Sequence, residues 1–312
     1  MSAAGETRPP GRTGPRGAAG FAALLSPTWL VLGFFFLLPL LLVFLASFAR
    51  ADDAGGTQPI GGWEGLWRHV RSGDFLDNYR RSLEPIWLRV FGRAFWMASL
   101  TTVLCALIGY PAAYYIAAVA RRRWRGALLA LVIVPFWTSF VIRTYAWVLI
   151  LRGEGLLNAL LKSWGLIDQP LDLLYNQTAV MIGLVYGDLP FMILPLYASL
   201  ERLDRSLLEA ASDLGAGGWS AFRRVTLPLS APGLAAGTVL VFIPTLGQFV
   251  VSDMLGGAKS ALVGNVVQSE FAAASGDKPF GSAVAFELVA AVLLMLFLYA
   301  AYARRRGGGT LL

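Results

Sequence analysis

Cysteine and histidine are almost missing from this sequence, since each occurs once, as Cys105 and His69. A single cysteine cannot form a disulfide within the chain, so cysteine usage gives no information about the redox compartment. A single histidine excludes a histidine-based metal or catalytic cluster, and His69 is better interpreted as a surface or interfacial residue. We therefore predict no catalytic residue and no metal site.

Charged residues are also scarce, at 14% of the chain against about 25% in a typical soluble protein. Hydrophobic residues make up 56% and the mean hydropathy is +0.61, which indicates an integral membrane protein in contact with the lipid bilayer. The net charge is +7. The basic residues cluster at the ends of apolar runs, where they set membrane topology, so we predict no nucleic-acid partner.

A phosphate-binding loop of the form G-x-x-x-x-G-K-[ST] is absent from the sequence. Lys162 and Lys259 each precede a serine, but neither has the required glycines upstream. We therefore expect no bound cofactor, and any use of ATP would require a separate subunit.

What the chain does contain is long apolar runs, each close to the length of about 20 residues that crosses a bilayer as a helix. Six runs are predicted to be spans, near residues 27–48, 94–120, 126–151, 177–200, 231–252 and 281–303. The sequence therefore predicts an all-α polytopic membrane protein with six transmembrane helices.

The predicted membrane domain covers residues 27–306, between a disordered basic tail at 1–26 and a C-terminal tail at 307–312. A cleaved signal peptide is the alternative for the first run. Its apolar core would be about 7–15 residues, so the 22 uncharged residues from Pro27 to Phe48 favour a retained span.

Six spans put both termini on one side of the membrane. When the long first loop, residues 49–93, is left aside, Lys and Arg number 14 on the side of the termini and 4 on the other side. This asymmetry places both termini in the cytoplasm. On the other side, residues 152–176 and 253–280 are predicted loops, the first with an amphipathic piece at the membrane interface.

Between the fourth and fifth runs lies the polar stretch EAASDLGAGGWSAFRRVTLP. Ser206 and Glu209 have the spacing of a capping box that starts a helix, and Glu209 and Asp213 share one face of that helix. Gly215 can end it in a left-handed conformation, and Pro228 ends a second short helix before the next span. The stretch predicts a cytoplasmic helix-turn-helix elbow.

This elbow, residues 201–228, resembles the EAA loop of ABC importer permeases. The matching residues are Glu209, Ala210, Ala211, Gly215, Leu227 and Pro228. The resemblance implies an ABC importer permease fold and a coupling helix, with Asp213 on it, that docks into ATPase subunits. The alternative is an interfacial amphipathic helix between two spans.

Further stretches resemble the permease subunits of spermidine/putrescine importers. They are DNYRRSLEP (77–85), GYPAAYY (109–115), VPFWTSFVIRTYAW (134–147), LVYGDLPFMILPLYASLERLDRSLLEAASDLGA (184–216) and LVFIPTLGQFVVSDMLGG (240–257). This resemblance implies a subunit in the bacterial inner membrane that imports polyamines by alternating access. It also implies a second, homologous permease and an extracytoplasmic substrate-binding protein as partners. Relatives move ferric iron, thiamine or aminophosphonates, and these cargoes are alternatives to polyamines.

Three charged residues fall inside the predicted spans, where charge is costly and often functional. At the helical rise of about 1.5 Å per residue, Asp188 lies roughly 16 Å into span four, near the midplane, and Glu287 lies nearer the outer mouth. Both are candidates for the translocation path. The alternative is that they pair with a partner helix or with Arg143, which straight-helix counting places near the outer interface. An ion-coupled secondary transporter using these two acids is a rival function.

Four aromatic residues, Phe136, Trp137, Tyr145 and Trp147, are candidates for contact with a cationic cargo, and Trp137 and Tyr145 are the path candidates among them, because an aromatic face attracts an ammonium group. The alternative for all four is an aromatic belt at the membrane interface. Gln248 is a further candidate, since the resembling family often has glutamate there.

Overall fold

The computed structural model of the chain describes residues 26–52, 56, 74–257 and 260–306. Regular structure in these ranges is helical, without a β-strand, which confirms the all-α prediction. The predicted tails, apart from Ser26, and His69 lie outside the described residues.

Twelve helices organise the described residues. In chain order, α1 to α12 are Ser26–Ala46, Asp77–Ser82, Pro85–Tyr114, Arg122–Ile133, Phe140–Leu151, Leu156–Ser163, Gln177–Glu201, Arg205–Asp213, Gly218–Leu229, Ala231–Leu246, Val263–Ala272 and Lys278–Arg306. Four of them, α1, α3, α7 and α12, are long and apolar enough to cross a membrane. Two bent helix pairs raise the number of candidate spans in these ranges to as many as six.

The third predicted span is not one straight helix. After α4 comes a 3-10 turn, Val134–Trp137, and the chain direction then changes by 92° before α5 and α6. Proline at 135 lacks an amide donor, and the extended backbone of Thr138 and Ser139 interrupts the helix. The prediction of a continuous helix over 126–151 is therefore wrong.

The fifth predicted span is also broken. Helix α10 ends at Leu246, and a π-helical turn, Ser252–Gly256, follows after a short irregular stretch. Residues of this turn pack along the outer half of α7, since an added Cβ at Gly183 would lie 2.5 Å from Leu255. The crossing thus continues beyond the predicted end at 252, and the predicted loop 253–280 contains helix α11.

Helix α7 forms the centre of the fold and packs against both α3 and α10. Gly233 and Gly237, four residues apart on α10, face α7. A Cβ at Gly233 would lie 2.6 Å from the carbonyl oxygen of Pro195 and 2.5 Å from Ser199 Cβ. Small residues at this spacing let two membrane helices approach closely.

Gly233→Val is therefore expected to destabilise the α7–α10 contact by about 1–3 kcal/mol, because the new side chain meets backbone atoms that cannot move aside. Gly92→Val is the matched control, since nothing lies within 4 Å of a Cβ built there. Thermal unfolding of the purified protein in detergent would test this. Equal midpoints for both variants would contradict the close packing.

Helix α2 joins the C-terminal end of α1 to the N-terminal end of α12. The Asn78 side chain donates to the carbonyl oxygens of Ser47 and Ala49 at 2.9 Å each. Arg81 forms an ion pair with Asp277 at 2.6 Å, just before α12. Helix α2 therefore fixes these two helix ends relative to each other.

Candidate functional site

Asp188 lies midway along α7 and is only 8% exposed. The hydroxyl oxygen of Thr245 is 2.9 Å from Asp188 Oδ2 and 2.6 Å from the carbonyl oxygen of Val241, so it can donate to either. Thr245 is the penultimate residue of α10. A buried carboxylate thus joins the middle of α7 to the end of α10. The sequence analysis missed Thr245, although a hydroxyl in an apolar span was a signal.

The bend between α4 and α5 brings aromatic rings to the level of Asp188. Phe136 lies edge-on to Phe191 with ring centroids 5.1 Å apart. The ring of Phe140 is 3.3 Å from the position of a Cβ at Gly187. The break in the third span therefore lies beside the middle of α7.

Arg143 lies in this aromatic region, with its guanidinium carbon 4.7 Å from the Phe136 ring centroid and 5.6 Å from that of Phe140. Its Nε and Nη1 atoms are buried and have no hydrogen-bond partner in the described part of the chain. Its predicted place near the outer interface assumed one straight helix. That assumption is wrong, because the bend puts Arg143 near the level of Gly187.

The charges of Arg143 and Asp188 interact electrostatically, but no ion pair within 4.0 Å joins them among the described residues. The carboxylate bonds to Thr245 instead. The structure therefore holds one carboxylate and one guanidinium in one apolar region, each without an oppositely charged partner in direct contact.

The break in the fifth span is organised by two amide side chains. Gln248 Oε1 accepts from the backbone N–H groups of Phe249 at 3.1 Å and Val250 at 3.2 Å. Asn265 of α11 donates to the Phe249 carbonyl oxygen at 3.2 Å and to Asp253 Oδ1 at 2.5 Å. Irregular backbone at membrane depth persists where protein groups satisfy it or where it lines a cavity. Gln248, a predicted path residue, therefore caps the backbone N–H groups at this break and lies three positions after Thr245.

Glu287 belongs to a different region from Asp188. Its Oε1 accepts a short hydrogen bond from the Ser82 hydroxyl, at the contact between α2 and α12. Nearby Tyr79 shares a hydrogen bond of 2.7 Å with Ser47, and burial raises the pKa of this tyrosine. The described contacts of Glu287 therefore join it to the outer helix α2 and not to Asp188.

Trp137 and Tyr145 are exposed at the surface of the chain, by 83% and 53%. No described contact joins either side chain to Asp188. The aromatic residues that lie beside the site are Phe136, which is one of the predicted aromatic candidates, and Phe140, which is not among them.

The elbow consists of α8, a tight turn and α9. The Asp204 side chain accepts from the Ser206 backbone N–H at 3.0 Å and caps α8, and this bond lowers the pKa of Asp204. The predicted capping box is therefore wrong, because Asp204 precedes Ser206 and occupies the cap. Helix α9 ends at Leu229, one residue after the predicted stop at Pro228.

Gly215 ends α8 in the left-handed conformation, at φ +81°, as predicted. Its N–H donates to the Ser212 carbonyl oxygen at 2.9 Å, and the next N–H, of Ala216, donates to the Ala211 carbonyl oxygen at 3.0 Å. This pair of bonds is a Schellman motif, which fixes the angle between α8 and the following turn.

The elbow presents apolar and acidic groups that are largely exposed. Leu214 is 89% exposed and Trp219 is 75% exposed, while Glu209, Ala210 and Asp213 are also exposed. At the other side of the elbow, the Phe222 ring lies edge-on to Tyr110 of α3 at 5.5 Å, and Leu227 packs in the same apolar cluster. One side of the elbow thus packs against the spans, and its opposite side is exposed.

Residues 109–307 match the family described as the binding-protein-dependent transport system inner membrane component. The chain belongs to this family. As such an inner membrane component, it is a multi-pass permease subunit of an ABC importer and not an enzyme, and ATP hydrolysis is the task of a separate subunit.

Two curated relatives are similar in sequence to this inner membrane component over most of its length. It is 42% identical over 271 residues to the spermidine/putrescine transport system permease protein PotB of Escherichia coli (strain K12), covering 87% of this chain and 92% of that protein. It is 36% identical over 245 residues to the inner membrane ABC transporter permease protein YdcU of the same strain, covering 74% and 76%.

Solved structures support the permease fold of the inner membrane component. A bacterial ABC transporter involved in the import of the acidic polysaccharide alginate superposes with a TM-score of 0.66 at 18% identity, covering 94% of this chain and 97% of that chain. The MetNI methionine ABC transporter gives a TM-score of 0.53 at 19% identity, covering 71% and 98%. At these identities the likeness concerns the fold.

Proposed function

We propose that this permease subunit moves polyamines into the cytoplasm by alternating access, together with a second homologous permease. Its similarity to PotB, named as a spermidine/putrescine permease, supports this cargo class. The observation that carries the proposal is the buried carboxylate of Asp188, held between α7 and α10 near the break after α4 and the break after α10.

The chemistry of the site suits a polycation. A dehydrated ammonium group is costly at membrane depth, and a fixed carboxylate offsets part of that cost. One acid with aromatic neighbours also permits release, which a tight cage of acids would prevent. Trp137 and Tyr145 stay path candidates, because a path between two permeases would be lined by residues that are exposed in the single chain.

The elbow is proposed to dock into an ATPase subunit through Glu209, Ala210, Ala211, Asp213 and Gly215. Its exposed outer surface supports this role, since a helix-in-groove contact needs an accessible apolar and charged face. The proposal places both termini and the elbow in the cytoplasm, and it places a substrate-binding protein on the opposite side.

A second cargo class is favoured by Arg143. A guanidinium group beside the carboxylate would suit a zwitterion such as an aminophosphonate, since Arg binds phosphonate-like oxygens well. Competition between labelled spermidine and unlabelled compounds for uptake distinguishes these two cargo classes.

The test is uptake of labelled spermidine by cells or vesicles that contain the complete importer and lack other polyamine importers. We expect unlabelled putrescine to compete and 2-aminoethylphosphonate, thiamine and ferric iron to have no effect. Uptake should stop without ATP. Competition by the aminophosphonate alone would contradict the polyamine assignment, and uptake that survives ATP depletion but not loss of the ion gradient would indicate a secondary transporter.

A further inference from the structure

The inner end of α4 carries a basic cavity that the transport path does not use. It has a volume of about 550 Å³ and is lined by Arg121, Arg122, Arg125 and Glu201, with Ala118 and Val119 among the apolar residues. Three guanidinium groups and one carboxylate leave a net charge of +2 in this cavity.

The charges in this cavity are not neutralised by the protein. No carboxylate among the described residues lies within 4.0 Å of any of these three arginines. Arg125 Nε donates to the Ala120 carbonyl oxygen at 3.2 Å, and Glu201 accepts from the Tyr197 hydroxyl at 2.6 Å. The cavity therefore has donors available for an anion.

The backbone at the start of α4 also favours an anion in this cavity. Helix α4 begins at Arg122, and no side chain caps its N-terminus. The first N–H groups of a helix and its dipole favour a bound anion at that end.

A second cavity, of about 450 Å³, adjoins the first and shares Val119, Ala120 and Arg121 with it. Its other walls are Tyr115, Trp124 and Leu128. Trp124 and Val119 are exposed by 55% and 60%, as expected for residues that face acyl chains near the membrane surface. A ligand that fills both cavities needs a negative head and an apolar tail.

We propose that this pair of cavities binds the phosphate headgroup of an anionic phospholipid, with an acyl chain along Tyr115, Trp124 and Leu128. Arginine forks match phosphate oxygens, and basic pockets at the cytoplasmic ends of spans suit anionic headgroups. Glu201, held by Tyr197, limits the net charge and so disfavours a highly charged soluble anion such as ATP.

The test uses the complete importer in lipid nanodiscs that contain phosphatidylcholine and phosphatidylglycerol, with retained lipids counted by native mass spectrometry. The wild-type complex is expected to retain phosphatidylglycerol selectively. Arg122→Gln with Arg125→Gln should weaken this retention by about fivefold for each arginine removed. Arg121 and Arg123 stay in place, so the topology signal at this end is largely kept.

Two matched variants complete the experiment. Arg152→Gln with Lys162→Gln removes two exposed basic groups, one directly after α5 and one in α6, and should leave lipid retention unchanged. Arg122→Lys with Arg125→Lys keeps the charge and should retain more lipid than the glutamine pair.

Equal retention by wild type and the glutamine pair would overturn the proposal. Complete displacement of the lipid by inorganic phosphate would also overturn it, because the cavity would then bind a free anion. Loss of the ATPase subunits from the glutamine pair would instead assign the arginines to a protein contact.

Discussion

Asp188→Asn is expected to lower polyamine uptake by about tenfold, the effect of losing about 1.4 kcal/mol of charge interaction with the cargo. Asparagine keeps the shape of the side chain and an oxygen that accepts from Thr245, so α7 and α10 should stay joined. Uptake and the amount of assembled importer should be measured on the same membranes. Binding of polyamine to the separate substrate-binding protein should not change.

Thr245→Val is the matched control for Asp188→Asn. It removes the hydrogen bond to the carboxylate but keeps the charge, so if Asp188 acted only through this bond, Thr245→Val would fail and Asp188→Asn, which keeps an acceptor oxygen, would not. We expect Thr245→Val to lower assembly more than uptake per complex. Unchanged uptake by Asp188→Asn at normal complex levels would remove Asp188 from the path. Loss of complex in place of uptake per complex would show that Asp188 neutralises a basic partner.

Glu209→Lys and Gly215→Val are expected to abolish transport-stimulated ATP hydrolysis while the spans stay folded. Lysine at 209 reverses the charge on the exposed face of α8 and puts an unfavourable cation in the docking cleft. Valine at 215 is strained at φ +81°, by about 1 kcal/mol or more, and disturbs the Schellman turn. ATP hydrolysis by the purified complex, with and without the loaded substrate-binding protein, measures the loss of coupling.

Two variants control for general damage. Gly217→Val lies two residues further in the same turn, with a negative φ of −63° and open space around an added Cβ, so it should couple normally. Glu154→Lys reverses an exposed charge in the connection between α5 and α6 and should have no effect. Normal coupling in both Glu209→Lys and Gly215→Val would remove the elbow from ATPase docking.

The parts of the fold set by composition and local conformation could be predicted from the sequence. Apolar runs of sufficient length gave the long helices, and the left-handed turn at Gly215 was predictable because few other residues adopt positive φ. The incorrect prediction of a capping box also had a local cause. Two polar residues, Asp204 and Ser206, compete for one cap, and the sequence does not show which is closer.

The mid-membrane region could not be predicted in this way. Counting residues along a helix assumes that the helix is straight, and tertiary packing decides whether Pro135 ends a helix or only bends it. That break moved Arg143 from the predicted outer interface to the level of Asp188. The hydrogen bond from Thr245 to Asp188 could not be predicted either, because it joins residues 57 positions apart in the chain.

The elbow is connected at both ends to the helices that hold the buried carboxylate. Helix α7 carries Asp188 and ends at Glu201, just before the elbow, and α10 starts two residues after it and carries Thr245. A change in the angle between these helices must therefore alter both regions. With the proposed roles of the elbow and Asp188, thermodynamic linkage makes the effect reciprocal, so that docking of an ATPase subunit would change cargo affinity by the same factor as cargo would change ATPase affinity. A subunit without a phosphate-binding loop would in this way relay the state of the ATP site to the cargo, and the state of the cargo to the ATP site.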